Sequence, residues 1–161
     1  MDAMCIVTTG GTIDKVYFDQ QSDYKIGDPQ ISQILHELGV DFRFSILSLM
    51  RKDSLDMTDA DRLAIRSAVA EQDASHVVIT HGTDSMVQTG LALQGIPDKT
   101  IVLTGALNPA RFQGSDAEFN IGCAIGAVQV LRPGVYIAMN GRIWDPRHVR
   151  KNRSANRFEE I

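Results

Sequence analysis

Short, unbroken apolar runs bounded by turn residues alternate along the chain with longer segments whose apolar positions recur every three or four residues. The first pattern suits strands buried on both faces and the second suits amphipathic helices. Strands are predicted at 5–8, 42–49, 77–80, 100–103 and 135–139. Between them, Pro29 stands at a first helical position before the stripe Ile31, Ile34, Leu35 and Leu38, which Gly39 ends. Thr58 with Asp61 makes a capping box ahead of Leu63, Ile65 and Val69, and a third helix is expected over 85–93. Ser115 with Glu118 opens a long helix through Ala124, Ala127 and Val130, closed by Pro133-Gly134. Asn140-Gly141 predicts a two-residue hairpin into Ile143-Trp144. Strands alternating with crossover helices give an α/β fold of the Rossmann-like or flavodoxin-like kind: a mostly parallel sheet, helices on both faces and a C-terminal β-hairpin. With 161 residues, no internal repeat and no Ser/Pro-rich linker, the expectation is one domain over 1–161.

Composition narrows the class. Hydrophobic residues make up 43% of the chain and charged residues 22%, as in ordinary globular proteins, and no interior run approaches the roughly 20 apolar residues of a membrane helix. Met1-Asp2 leads straight into Ala3-Met4-Cys5-Ile6-Val7 with neither a basic region nor a small-residue cleavage site, so a cytoplasmic protein is expected. Cys5 and Cys123 each lie in apolar segments and read as buried structural thiols. The net charge of −4 argues against a general nucleic-acid binder. Against that balance, Arg142, Arg147, Arg150, Lys151, Arg153 and Arg157 gather around a lone Asp145, which reads as a solvated tail or a subunit contact.

Open parallel sheets bind ligands at the carboxyl ends of their strands, so the residues after each strand are the ones that can carry chemistry. Thr8-Thr9-Gly10-Gly11-Thr12-Ile13-Asp14 follows the first strand, and its paired glycines let the backbone approach a ligand while presenting N–H groups and a hydroxyl. A phosphate-binding turn is the ordinary alternative, but neither G-x-G-x-x-G nor a P-loop occurs in the chain. The strand at 77–80 ends in His81-Gly82-Thr83-Asp84-Ser85, and helix capping would explain Thr83 or Asp84 alone without needing both. Leu103-Thr104-Gly105-Ala106 ends the next strand with small side chains that leave backbone groups reachable. A threonine nucleophile needs a base, and a desolvated lysine beside an aspartate is one arrangement that supplies it; Lys151 is the candidate.

These segments together resemble the bacterial-type L-asparaginase family. Its Thr-Gly-Gly-Thr-Ile and His-Gly-Thr-Asp-Thr-Met motifs read here Thr9-Gly10-Gly11-Thr12-Ile13 and His81-Gly82-Thr83-Asp84-Ser85-Met86, and its Thr-Gly-Ala before an early proline reads Thr104-Gly105-Ala106 and Pro109. The resemblance covers nearly the whole chain, corresponds to the larger N-terminal domain of two-domain members, and looks closest to short single-domain bacterial asparaginases. It implies Thr12 as nucleophile, with Thr83, Asp84 and Lys151 as the second threonine, aspartate and lysine; the lysine match rests on Asp145-Pro146-Arg147-His148-Val149-Arg150-Lys151. Tyr24 matches the tyrosine that assists the nucleophile, with Tyr17 in reserve, and Ser54 matches the serine that holds the substrate α-carboxylate. Gly11, Gly82 and Ala106 complete the implied substrate-binding set.

Two departures accompany the match. Leu55 stands where the family often has Gln or Ser, and the carboxylate that a second domain of a neighbouring subunit brings to the substrate amine is expected to have no counterpart here. Asp84 alone, or another chain, would meet that amine. The implied activity is hydrolysis of L-asparagine, or of L-glutamine, by a homo-oligomer, a dimer or a dimer of dimers. No cofactor is expected, and no metal, because His36, His76, His81 and His148 show no ligand spacing and the reaction needs no Lewis acid. The readings left open are a non-catalytic module that binds or senses an amino-acid amide and, less favoured, a nucleotide-binding domain.

Overall fold

The computed structural model describes residues 3–17 and 24–161. Strand β1 (Met4–Gly10) is followed by the small antiparallel pair β2 (Lys15–Tyr17) and β3 (Tyr24–Ile26), then helix α1 (Gln30–Glu37) and strand β4 (Phe44–Lys52). Helix α2 (Asp59–Ala70), strand β5 (His76–Thr80), helix α3 (Met86–Ala92), strand β6 (Thr100–Thr104) and helix α4 (Ala117–Val130) continue the alternation. The chain closes with β7 (Gly134–Met139), β8 (Arg142–Trp144), β9 (Val149–Asn152) and β10 (Arg157–Glu160).

The main sheet has the order β4-β1-β5-β6-β7-β8, parallel throughout except for the last pair, so the expected α/β architecture stands. Alternate residues of its central strands feed two cores. Val7, Ile79, Leu103 and Ile137 pack against Ile65 and Val69 of α2 and Met86 and Leu93 at α3, while Ile6, Val78, Val102 and Ala138 pack against Ile31 and Leu35 of α1 and Ile121 and Val128 of α4. A strand with both faces covered has no solvent side on which to place polar residues, so the central strands run apolar without alternation, interrupted only by buried threonines such as Thr8, Thr80 and Thr104. The β9–β10 hairpin docks on the first core through buried Val149 and Phe158, and Phe158 N–H donates to Asn140 Oδ1 at 2.7 Å. Among the described residues no helix is long and apolar enough to cross a membrane.

Local signals hold in most places. Thr58 and Asp61 form both arms of the capping box, and Asn140 and Gly141 take φ of 54° and 71°, the left-handed pair that a type I′ hairpin turn needs. Three expectations change. Pro29 occupies the cap position of α1 rather than its first turn, and Asp14 Oδ1 accepts from Gln30 N–H there at 2.9 Å. Ser115 and Glu118 do not form a box: α4 is capped at Asp116, and Ser115 Oγ accepts from Ala117 N–H at 3.0 Å while donating to Asn108 O. The Asp116 carboxylate is engaged instead with Leu107 and Asn108 N–H. The basic C-terminal segment is no tail but the β8–β10 strands, in which Arg142 pairs with Glu160 and Arg150 with Glu159. Cys5 is buried, Cys123 half-buried, and both thiols are free.

Candidate active site

Strand β1 has β4 on one side and β5 on the other, so the chain leaves β1 in one direction and returns on the opposite side. Such a switch point opens a crevice at the carboxyl ends of the two diverging strands. The loops there are 10–14 after β1 and 81–85 after β5. Gly10 and Gly11 have φ of 98° and 92°, and a Cβ on Gly11 would stand 2.5 Å from Gly82 Cα, while one on Gly82 would stand 2.5 Å from Ser54 Cβ. Only hydrogen fits at these positions, and the result is direct backbone contact between the two loops and the Ser54 turn. Gly105 packs its backbone on His81 O in the same way, and Ala110 N–H donates to Ile13 O at 3.0 Å, which draws in the loop after β6.

Thr12 opens a single 3₁₀ turn, Thr12–Asp14, and Thr83 opens another, Thr83–Ser85. The first N–H of such a turn has no partner within it. Among the described residues neither Thr12 N–H nor Thr83 N–H finds an acceptor, and the half-buried Thr12 hydroxyl is likewise unpartnered. The Thr83 hydroxyl is engaged. Lys151 Nζ lies 2.7 Å from Thr83 Oγ1 and 2.8 Å from Asp84 Oδ1, with only 11% of the lysine side chain exposed. Lys151 reaches in from β9, where its cross-strand neighbour is the buried Phe158. Arg153 Nε approaches Asp84 Oδ1 at 3.5 Å from the solvent side, above a hollow of about 220 Å³ lined by Asp84, Val87, Gln88 and Lys151. A larger hollow of about 480 Å³ beside Ala3, Ser45 and Ala74 lies at the opposite, amino ends of the strands and takes no part in this arrangement.

Ser54, buried, accepts from Ser85 N–H at 3.3 Å through Oγ, and its carbonyl accepts from Ser85 Oγ at 2.6 Å. Ala106 is buried in the turn after β6, whose preceding carbonyl, Gly105 O, accepts from Asn120 Nδ2 at 2.9 Å. The structure therefore brings Gly11, Thr12, Ser54, Gly82, Thr83, Asp84, Ala106 and Lys151 to one end of the sheet. Tyr24 stands apart. It is about half exposed on β3, its ring 6.0 Å from that of Tyr17 and under the Lys15 ammonium at 4.0 Å, and Lys15 in turn lies 3.6 Å from Asp53. Tyr17 stacks on Phe112 at 5.2 Å, and the Lys151 ammonium is bonded to Thr83 and Asp84 with neither tyrosine hydroxyl among its partners.

Sequence reasoning gave no role to four polar side chains around this site. Burial pushes the Asp14 carboxyl up to about 7, against the pull of Gln30 N–H and Arg51, and pushes the His81 imidazole down to about 4. Asp116 accepts from Leu107 and Asn108 N–H and from Asn120 Nδ2, and with Asn120 it fixes the turn that carries Ala106. Asp14 and His81 both adjoin the glycine motifs, but nothing in residue identity marks them as desolvated.

Comparison with known proteins agrees with the fold. The family described as "Asparaginase, N-terminal" matches residues 3–159. An L-asparaginase of Bacillus licheniformis is 26% identical across 95% of this chain and 51% of its own length. A glutaminase-asparaginase of Acinetobacter glutaminasificans is 28% identical across 76% of this chain and 38% of its own. The solved thermostable L-asparaginase of Thermococcus kodakarensis superposes with a TM-score of 0.83 at 26% identity, covering 99% of this chain and 51% of that one. The chain thus spans about half the length, or less, of the relatives it matches. With a match running through both glycine loops to the strand after Lys151, this chain belongs to the asparaginase family.

Proposed function

We propose that this chain builds an amidohydrolase site that cleaves the side-chain amide of L-asparagine by acyl transfer, with Thr12 as the nucleophile. The observation that carries the reading is the partly buried relay of Thr83, Lys151 and Asp84, one backbone contact away from the Thr12 loop. As an ammonium, the lysine nitrogen donates to both partners; as an amine it donates to Asp84 and accepts from the Thr83 hydroxyl, so the same contacts serve a proton in transit. Thr12 Oγ bonds to the amide carbon, its proton passes through the relay to the amide nitrogen, and the C–N bond breaks to release ammonia. Water then adds to the β-aspartyl ester, and Thr12 Oγ leaves with its proton restored.

The oxyanion of both steps needs donors that are already in place, and the unpaired N–H groups of Thr12 and Thr83 suit that role, each worth on the order of 3 kcal/mol. The close-packed Gly11 and Gly82 let backbone approach the substrate, Ser54 Oγ–H is free to donate to the α-carboxylate, and the Ala106 carbonyl accepts from the departing amide. Tyr24 has no contact with the relay and is given no step. The test is ammonia release from asparagine, glutamine and a nonspecific amide. Glutamine is included because one relative is named a glutaminase-asparaginase, and one methylene is discriminated by only about 1–3 kcal/mol. Thr12→Ala should lower asparagine turnover at least about 100-fold while binding persists. Normal turnover by that variant ends the scheme, and wild-type protein that is thermally stabilised by asparagine yet releases no ammonia is a binding module instead.

A further inference from the structure

The reaction gives no step to His81, yet its imidazole is fully buried beneath the loop that carries Thr83. Nδ1 lies 2.7 Å from Gly82 O, and Nε2 lies 2.7 Å from Thr89 Oγ1 and 3.1 Å from Met57 Sδ. A carbonyl oxygen only accepts, so Nδ1 carries the hydrogen. The ring stays neutral at neutral pH, because burial holds its pKa near 4. Nε2 is then bare and must accept; the buried Thr89 hydroxyl on α3 lies 2.7 Å from it and 3.6 Å from Met57 Sδ, and gives its one hydrogen to the nearer and stronger acceptor, the ring nitrogen. The two ends of the ring fix one tautomer between them.

That tautomer has a consequence one peptide away. The Gly82–Thr83 peptide is trans, so its C=O and N–H point in opposite directions. Holding Gly82 O on the imidazole aims Thr83 N–H away from it, and no described residue accepts that N–H. Gly82 lacks a side chain that would resist a flip of this peptide, and the close approach of Ser54 forbids one. We infer that His81, as the Nδ1–H tautomer braced by Thr89, is a positioning residue that locks the Gly82–Thr83 peptide so that Thr83 N–H is preformed as an oxyanion donor. The inference rests on the amidohydrolase reading and adds to it the group that orients one of its donors.

Two side chains separate this role from simple core filling. Asn at position 81 places an amide N–H near the site of Nδ1, whereas Gln places its amide near Nε2, so only the first keeps a donor for Gly82 O. His81→Asn should stay within about fivefold of wild-type kcat, and His81→Gln should fall at least about tenfold, toward the roughly 100-fold cost of losing one oxyanion donor. KM should move by less than about threefold in both, since the donor acts mainly on the transition state. Equal kcat in the two variants, or a loss carried by KM, overturns the inference. Long-range ¹H–¹⁵N correlation on histidine-labelled wild-type protein needs no variant to fold: it should show His81 as Nδ1–H, and an Nε2–H ring or an imidazolium at neutral pH overturns it. Wild-type protein that releases no ammonia overturns the amidohydrolase reading and this inference together, whereas an active wild type with matched variants overturns this inference alone.

Discussion

Asp14 and His81 flank the same crevice and set opposite dependences of stability on pH, which one substitution should uncover. Burial raises the Asp14 carboxyl from 3.8 to about 7, so between these values the folded protein holds a proton that the unfolded chain has released. Stability from this group is full below pH 3.8 and is lost as pH rises through 7. At about 1.4 kcal/mol for each tenfold change in proton affinity, the loss is about 4 kcal/mol. Burial lowers His81 from 6.5 to about 4, so the unfolded chain takes up a proton that the folded protein refuses. Its contribution is full above pH 6.5 and falls by about 3 kcal/mol as pH drops to 4. The two nearly cancel across pH 4–7 in the wild type. Asp61 and Asp145, both held near 2 by their basic partners, titrate below that window. Asp14→Asn keeps an oxygen for Gln30 N–H but removes the falling component, so its stability should rise by about 3 kcal/mol from pH 4 to 7 while that of the wild type stays nearly level. Urea unfolding followed through the buried Trp144, extrapolated linearly at each pH, reads this directly. Parallel profiles for the two proteins would refute the burial argument for Asp14.

Gly11→Ala should cost about 2 kcal/mol or more, since its φ of 92° is strained for alanine and the new Cβ meets the Gly82 backbone. Gly122→Ala, exposed on α4 with open space where a Cβ would stand, should instead add about 0.5–1 kcal/mol of stability through helix propensity and so raise the melting temperature, and a loss in both variants would contradict the packing argument. Asn120→Ala strips Gly105 O of its donor and should cost about 1–3 kcal/mol in urea unfolding, with a rise in KM as the Ala106 turn loosens; an unchanged KM would count against that turn as part of the substrate site.

What could be read in the sequence follows from where each element draws its stability. Strands β1, β5 and β6 are buried on both faces, so their apolar runs announce them, and the Thr58–Asp61 box and the Asn140-Gly141 turn are closed by groups three residues apart or fewer. The β2–β3 and β9–β10 hairpins are three or four residues to a strand with mixed polarity. Lys15-Val16-Tyr17 and Val149-Arg150-Lys151-Asn152 have no period to detect, and Val149 and Phe158 hold the second hairpin only through the core beneath it. Ser115 closes no box with Glu118 for a related reason, because its hydroxyl takes the Ala117 N–H and donates to Asn108 O, seven residues upstream.

The site divides along the same line. Thr12, Thr83 and Asp84 follow the ends of strands, where any parallel sheet exposes its loops, so residue order marks those loops and the family resemblance picks out the side chains within them. Lys151 pairs with Thr83 and Asp84 across 68 and 67 residues, and that meeting depends on a hairpin the sequence pattern does not reveal. His81 and Asp14 are plain in the sequence as residues but not as chemistry, because desolvation is the main cause of their shifted proton affinities and burial is not written in residue identity. A glycine-rich loop pressed against a second backbone excludes water from whatever lies under it. The side chains directly beneath Gly11 and Gly82 are therefore where shifted proton affinities should be sought first.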